Sequence, residues 1–172
     1  MGMDVMGKNA RTERGEYFRN NVWWWRPLWD YCLELHGDIA GKVEYGHSND
    51  GDGLDGDDAR TLGECLLADI DSGVTSEYEQ SYREQIASIP MEDCEWCGTT
   101  GIRTDEVGVE YGMPTRELDP EIALVVGRTH GYCNGCGGYG KKESLLASYG
   151  FSVDNVREFA NFLIECGGFE IW

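Results

Sequence analysis

The sequence predicts an α+β protein, in which a small helical core accepts an inserted β module closed by cysteines. Three observations lead to this prediction. Apolar residues recur at helical spacing in four segments, two Cys-x-x-Cys pairs lie between the third and fourth of these segments, and the chain between the pairs alternates between polar and apolar residues.

Each of the four predicted helices has its own start and stop signals. In the first helix, Pro27 precedes four apolar residues at helical spacing, Leu28, Tyr31, Cys32 and Leu35. In the last helix, a glycine follows the final residue. The expected segments are Pro27–His36, residues 59–70 capped by Asp57 or Asp58, residues 76–89 opened by a Ser76/Glu79 capping box, and a last helix capped by Ser152 that ends at Gly167.

The four paired cysteines carry the clearest chemistry in the sequence. Cys94 and Cys97 form one pair, Cys133 and Cys136 form the other, and glycines follow both pairs. Such a loop directs two thiolates at one cation, and four thiolates at tetrahedral angles are what a structural zinc ion accepts. We therefore expect one structural Zn²⁺, held by these four residues, and no catalytic metal, because four cysteines close the coordination shell.

Between the pairs, two segments fit strands, 102–111 and 123–126. The inserted module is therefore predicted to be a zinc-closed β-hairpin that is zinc-ribbon-like. The expected boundaries are a flexible N-terminus over 1–15, a helical core over 16–90 and 146–172, and a zinc-binding β insertion over 91–145.

The strings CEWCGTTG and CNGCGGYG resemble the Cys-x-x-Cys-x-Gly-x-Gly repeats of the DnaJ-type cysteine-rich zinc finger. The second string fits fully, whereas the first has Thr99 where the pattern has glycine. The resemblance covers about residues 94–140 and implies one shared zinc. It does not imply co-chaperone activity, because the chain has no His-Pro-Asp tripeptide. The flanking segments are faintly similar to small uncharacterised proteins of phages and bacterial genomes.

Acidic residues are concentrated in one part of the chain. The formal net charge is −18, and residues 29–95 hold eighteen acidic and three basic side chains. Such a field opposes direct contact with a nucleic-acid backbone and favours a basic protein surface. The acidic residues expected to bind this partner lie in a Gly/Asp-rich loop and on the two following helices, at Asp50, Asp52, Asp55, Asp57, Asp58, Glu64, Asp69, Glu77 and Glu84.

A run of three tryptophans, Trp23–Trp25, precedes the first predicted helix. Three consecutive indoles cannot all face one interior, so Trp23 and Trp24 join the predicted partner surface and the alternative is that they pack in the core. The aspartate loop does not fit an EF-hand, because Asp55 and Thr61 stand where that motif needs glycine and glutamate. Adventitious divalent-cation binding by the loop is left open.

The function predicted from these features is a non-enzymatic, acidic interaction protein of the cytoplasm. In its concrete form it is a nucleic-acid mimic that inhibits a host defence or transcription protein, as a viral protein would. One alternative is a nucleic-acid-binding zinc module, in which an exposed Trp stacks on a base and nucleic acid is approached by Arg103, Arg116, Arg128, Lys141 and Lys142. Another is an enzyme with a second metal among His36, His47 and the aspartates of the loop. The first fifteen residues have no apolar run of signal-peptide type and no stretch approaches membrane-spanning length, so a cytoplasmic location is expected. The partner's identity and the oligomeric state stay open.

Overall fold

The computed structural model describes residues 2–172, and the chain forms two compact units. Unit 1 consists of residues 2–87 and 148–172, and unit 2 consists of Ser88–Ala147. These limits fall close to the ends of the predicted insertion, 91 and 145. About half of the chain is helical, and the sheets are small and antiparallel, so the fold is mixed helix and sheet.

Unit 1 contains three strands and five helices. Its elements are β1 (Gly2–Gly7), α1 (Glu13–Glu16), β2 (Tyr17–Asn21), α2 (Val22–Ala40), α3 (Gly56–Ser72), α4 (Val74–Ser88), α7 (Val153–Glu165) and β5 (Phe169–Ile171). The strands form one antiparallel sheet in the order β2-β1-β5, in which Val5 lies opposite both Phe18 and Ile171.

The sequence predicted a flexible N-terminus over 1–15, but within residues 2–15 the structure contains strand β1. Within residues 2–15, β1 is the middle strand of the sheet, and Met3 and Val5 are buried while Asp4 lies between them. Apolar and polar residues alternate only over Met3, Asp4 and Val5, which is too few positions to predict a strand, and the strand forms because β2 and β5 pair with both of its edges.

Helix α2 begins five residues before the predicted start at Pro27. Asn21 caps it by accepting hydrogen bonds from the N–H groups of Trp23 and Trp24 at 3.0 and 3.2 Å. Pro27 therefore lies inside the helix and is buried, and the helix is kinked at His36.

The helical predictions for the rest of unit 1 hold with shifted caps. Asp55, rather than Asp57 or Asp58, caps α3, and Gly73 ends that helix with a φ of 89°. Helix α4 begins at Val74, so Ser76 lies within it and forms no capping box. Ser152 caps α7 by accepting a hydrogen bond from the Asn155 N–H at 3.2 Å, as predicted.

Aromatic side chains fill the core of unit 1. Trp25 and Trp29 stack with ring centroids 5.5 Å apart, and Phe159 packs edge-on against both rings. The indole N–H of Trp25 donates to the Gly46 carbonyl at 2.8 Å, so its one polar atom is satisfied inside the core.

Unit 2 is not a β-hairpin. Its strands β3 (Glu92–Asp93) and β4 (Lys141–Lys142) pair over two residues, and a single bridge joins Glu117 to His130. The two predicted strands are helices: α5 (Glu106–Glu110) lies within 102–111, and α6 (Pro120–Val126) includes 123–126. One-turn 3₁₀ segments at Met113–Thr115 and Leu145–Ser148 complete the elements.

Capping explains why these two segments are helical. The Asp105 carboxylate accepts from the Gly108 N–H at 2.8 Å, and the Asp119 carboxylate accepts from the Glu121 N–H at 2.9 Å. Pro120 occupies the first helical position, where its missing N–H costs nothing. In the part of the chain that the structure describes, no helix has both the length and the apolar character needed to cross a membrane.

Candidate metal centre

The two Cys-x-x-Cys loops adopt closely related backbone turns. Gly98 and Gly137, each directly after a pair, have φ values of 54° and 60°. The next positions, Thr99 and Gly138, have φ values of 72° and 92°. Thr99 is the one non-glycine residue with positive φ among residues 2–172, and a β-branched side chain is strained in this region. It stands where the resemblance expects glycine.

The loops bring the four predicted cysteines together. Their Sγ atoms all lie within 4.8 Å of one another. Across the two loops, Cys94 and Cys133 are 3.8 Å apart at sulfur, and Cys97 and Cys136 are 3.7 Å apart. Three of the four residues are buried and Cys97 is half-buried, so the cluster is shielded from solvent and could hold a metal ion.

Backbone N–H groups support the sulfur atoms in the same way in both loops. The Gly101 N–H donates to Cys97 Sγ at 3.2 Å, and the Gly140 N–H donates to Cys136 Sγ at 3.1 Å. Donors of this kind favour thiolate over thiol. In addition, the Cys94 N–H donates to the Gly140 carbonyl at 3.0 Å, which joins the first loop to the second.

The protonation of the thiols depends on burial and on these donors. Burial raises the pKa of the Cys133 thiol to about 12, so in the absence of a cation this group stays protonated at neutral pH. Burial also disfavours the Cys94 thiolate, but hydrogen bonds from the backbone N–H groups of Trp96 and Cys97 outweigh it and lower the pKa of Cys94. A cation bound by all four sulfurs therefore displaces protons.

Arg128 connects the two Cys-x-x-Cys loops through their backbone carbonyls. One terminal nitrogen of its guanidinium donates to the carbonyls of Gly138 and Gly101 at 2.5 and 3.0 Å. Each of these carbonyls belongs to a different Cys-x-x-Cys loop. Sequence reasoning treated Arg128 only as a basic side chain, and nothing in its local sequence marks this role.

A second arginine, Arg103, contacts a residue in each of the two Cys-x-x-Cys loops. Arg103 forms a bidentate ion pair with Asp105 and lies over the Trp96 ring, 4.6 Å from its centroid. It also donates to Asn134 at 3.0 Å. Four of the basic residues that the nucleic-acid alternative needs thus contact other residues of the chain. Besides Arg103 and Arg128, Arg116 lies 4.5 Å from the Tyr132 ring centroid. Lys141 forms an ion pair with Asp93 at 3.8 Å.

Three aspartates of the predicted partner surface have structural roles in unit 1. Asp52 accepts from the backbone N–H groups of Tyr45 and Gly53, and these bonds lower its pKa. Asp55 caps α3, and Asp58 pairs with Lys42 at 2.6 Å. Asp50 and Asp57 are exposed, although Asp50 accepts from Ser48. The loop is therefore ordered by its own carboxylates.

The remaining acidic residues of the predicted partner surface lie on the helices of unit 1 and differ in exposure. Glu64, Glu77 and Glu84 are exposed, as the partner surface requires. Asp69 is not: it accepts from the Tyr31 hydroxyl at 3.1 Å and contacts His36 Nε2 at 2.7 Å, with only 18% of its side chain exposed. Asp69 is therefore not part of an exposed acidic surface.

The three consecutive tryptophans do not all face the interior, as expected. Trp25 is fully buried, whereas Trp23 and Trp24 are 37% and 38% exposed. Trp23 packs edge-on against Tyr149 with centroids 4.8 Å apart, and Trp24 contacts Gly150. Both exposed rings are thus held by the segment that precedes α7.

Within residues 2–172, the side chains proposed as ligands of a second metal do not gather at one point. His36 and His47 contact different carboxylates, Asp69 at 2.7 Å and Asp30 at 3.0 Å. Among residues 2–172, the four cysteines are the one group of three or more potential ligands close enough together to hold an ion. The aspartates of the loop do not converge. Comparisons of the chain with protein-family models, with curated proteins and with solved structures find no match.

Proposed function

We propose that the chain is a non-enzymatic interaction protein of the cytoplasm, in which one zinc ion closes unit 2 and the acidic surface of unit 1 binds a basic protein. The observation that carries the proposal is the imbalance of charge on ordered helices. Residues 29–95 hold eighteen acidic side chains, and their three basic ones are each paired, Lys42 with Asp58, Arg60 with Glu64 and Arg83 with Glu79.

Zinc is the metal that the cysteine cluster suits best. Four sulfurs at about 2.3 Å from one ion and at tetrahedral angles lie about 3.8 Å apart. The separations of 3.7 and 3.8 Å across the loops agree with this spacing, and all four sulfurs lie within 4.8 Å of one another. With four protein ligands the ion has no open position for a substrate or water, so its role is to hold the loops together. The paired, reduced cysteines are in keeping with a reducing compartment.

The acidic surface is defined here as Asp57, Glu64, Glu77 and Glu84, which are exposed on α3 and α4. Carboxylates fixed on helices present charge at set distances, unlike a flexible acidic tail. A basic groove that accepts nucleic acid is a matching partner, which is why a nucleic-acid mimic that inhibits a defence or transcription protein is the concrete form of the proposal. A phage origin would suit this role and stays a proposal with it.

The test is affinity capture of binding proteins from the native source, with the full chain as bait at about 0.05 and 0.5 M salt. Raised salt shortens the reach of charge from about 10 Å or more to a few Å, so a basic partner is expected at low salt and lost at high salt. A variant with Asp57→Asn, Glu64→Gln, Glu77→Gln and Glu84→Gln should lose it.

A matched control removes the same number of charges elsewhere. Its substitutions are Glu13→Gln, Glu16→Gln, Glu143→Gln and Glu158→Gln, all at exposed positions. This control should keep the partner. Equal loss in both variants, or capture that ignores salt, would contradict the proposal. Titration with single-stranded and duplex oligonucleotides separates the nucleic-acid alternative, for which we expect no binding at physiological salt.

A further inference from the structure

We infer that unit 2 carries a second interaction surface, formed by the outward face of α6, and that it fits a cationic amphipathic segment of a partner protein. The inference concerns other residues than the acidic surface of unit 1. It rests on the proposed function only in that the partner is again basic.

The outward face of α6 consists of Glu121, Leu124 and Val125. These residues are spaced by three and four positions, so they lie on one side of the helix. Leu124 is 85% exposed and Val125 is 72% exposed. No residue of α6 is fully buried, although Ile122 lies near Gly138 on the inner side. Packing within the unit therefore does not account for the two outward apolar side chains.

Helix α5 also exposes apolar side chains. Gly108 is the buried residue of this helix, and its Cα faces the backbone of Arg103 so closely that a Cβ would lie 2.3 Å from the Arg103 carbonyl oxygen. Val109 on α5 and Tyr111, the residue directly after the helix, are 61% and 71% exposed. Exposed apolar residues are ordinary singly, but here they recur on both short helices of one unit.

Exposed carboxylates lie close in sequence to these apolar side chains. All of them are exposed, and none forms an ion pair with another side chain in the described part of the chain. The nearest arginines in sequence are committed, Arg103 to Asp105 and Arg116 to the Tyr132 ring. The carboxylates in question are Glu106, Glu110, Glu117, Asp119 and Glu121.

This combination selects one kind of occupant. A second copy of the chain would bring like charges together, and an anionic membrane surface or a nucleic acid would be repelled for the same reason. A segment with apolar residues at helical spacing, flanked by Lys or Arg, would bury Leu124 and Val125 while its cations meet the carboxylates. The apolar contacts would supply affinity and the charges would supply orientation.

The probe for the test is a synthetic peptide of about 18 residues, long enough to form a helix when bound, with Leu at helical spacing and Lys elsewhere. A second peptide has Ser in place of every Leu. Both are titrated by calorimetry into the full, zinc-loaded chain. We expect the double variant Leu124→Ser/Val125→Ser to bind the Leu peptide at least tenfold more weakly than the native chain does.

A matched control replaces one Leu and one Val that are exposed in unit 1, Leu35→Ser/Val74→Ser, which start from 40% and 38% exposure. Its affinity should be unchanged. The single variant Glu121→Lys should also weaken binding at least tenfold by reversing one charge, and it leaves the apolar pair intact should the double variant lose its zinc. Metal content is measured for each variant.

Two results would overturn the inference: native affinity in both Leu124→Ser/Val125→Ser and Glu121→Lys, or equal affinity of the Ser and Leu peptides. The variant of unit 1 with Asp57→Asn, Glu64→Gln, Glu77→Gln and Glu84→Gln distinguishes failure of this inference from failure of the proposed function. If that variant alone loses the peptide, the acidic surface of unit 1 is the binding site and the surface on unit 2 is not.

Discussion

The Trp23 carbonyl oxygen accepts a hydrogen bond from the Gly150 N–H at 3.0 Å. Within α2 this carbonyl would normally accept from the residue four positions on, but that residue is Pro27, which has no N–H. The proline thus frees an acceptor for the segment that precedes α7. The first turn of α2 and the start of α7 are joined through this bond, although the two are far apart in sequence.

Gly150→Ala should destabilise unit 1 by about 1–3 kcal/mol, because a Cβ there would lie 2.8 Å from carbons of the Trp24 indole. Urea unfolding followed by tryptophan fluorescence measures the change. The control is Gly37→Ala in α2, where a Cβ would meet no atom within 4 Å; it should be neutral or stabilise by up to about 1 kcal/mol. Equal effects of the two substitutions would contradict the contact.

Thr99→Gly should strengthen the metal centre, because glycine adopts the φ of 72° without the strain of a β-branched residue. A gain of about 1 kcal/mol corresponds to about fivefold slower loss of metal to a chelator. Thr100→Gly should act in the opposite direction, since the Thr100 hydroxyl donates to the Cys97 carbonyl at 2.7 Å. Faster loss from the Thr99 variant would show that its backbone is not strained.

Arg128→Ala should loosen the centre without removing a ligand, because the carbonyls of Gly101 and Gly138 lose their shared donor. Burial of unpaired carbonyls costs about 1–3 kcal/mol each, so we expect at least a tenfold faster transfer of metal to a chelator. Arg116→Ala, which removes the cation over the Tyr132 ring, is the control and should change this rate less than threefold. The prediction fails if the two variants behave alike.

Unit 1 should lose stability above pH 9 in part through Cys32. Burial raises the pKa of this thiol above its ordinary value of 9.0. The unfolded chain then ionises first as the pH rises, so the folded state binds the extra proton and stability falls by up to about 1.4 kcal/mol per pH unit above 9. The contribution is fully present below pH 9.

Cys32→Ala removes this group, so the fall in stability between pH 9 and 11 should be shallower in the variant, even though the cavity lowers stability at every pH. Urea unfolding of both proteins at pH 7, 9 and 10.5 gives the comparison. Cys65→Ala is the comparison: burial also raises the pKa of this half-buried thiol, so its removal should flatten the profile less than Cys32→Ala does. Parallel pH profiles of native and Cys32→Ala chains would refute the assignment.

The sequence predicted the features that depend on local chemistry. Two pairs of cysteines and their glycines specified a four-sulfur cluster, and Ser152 specified the start of α7, because ligands and caps act over a few residues. The sequence did not predict a segment whose structure depends on pairing with residues far away in the sequence. The alternation of Met3, Asp4 and Val5 is too short to identify a strand without β2 and β5 beside it.

The misread segments of unit 2 show a different limit. Apolar residues at 107, 109, 123 and 125 fit strand spacing, and the structure leaves Val107, Val109 and Val125 exposed on helices. The caps at Asp105 and Asp119 with Pro120 are the signals that could have identified both helices. Asp69 was misplaced because its partners, Tyr31 and His36, lie on another helix.

X-ray absorption spectroscopy of the purified full chain, combined with elemental analysis, tests the central claim most directly. We expect one zinc per chain with four sulfur neighbours at about 2.3 Å. The variant Cys133→Ser should lose the ion, and Cys166→Ser should keep it. Fewer than four sulfur neighbours, or a chain that stays folded in unit 2 with no metal bound, would contradict the account.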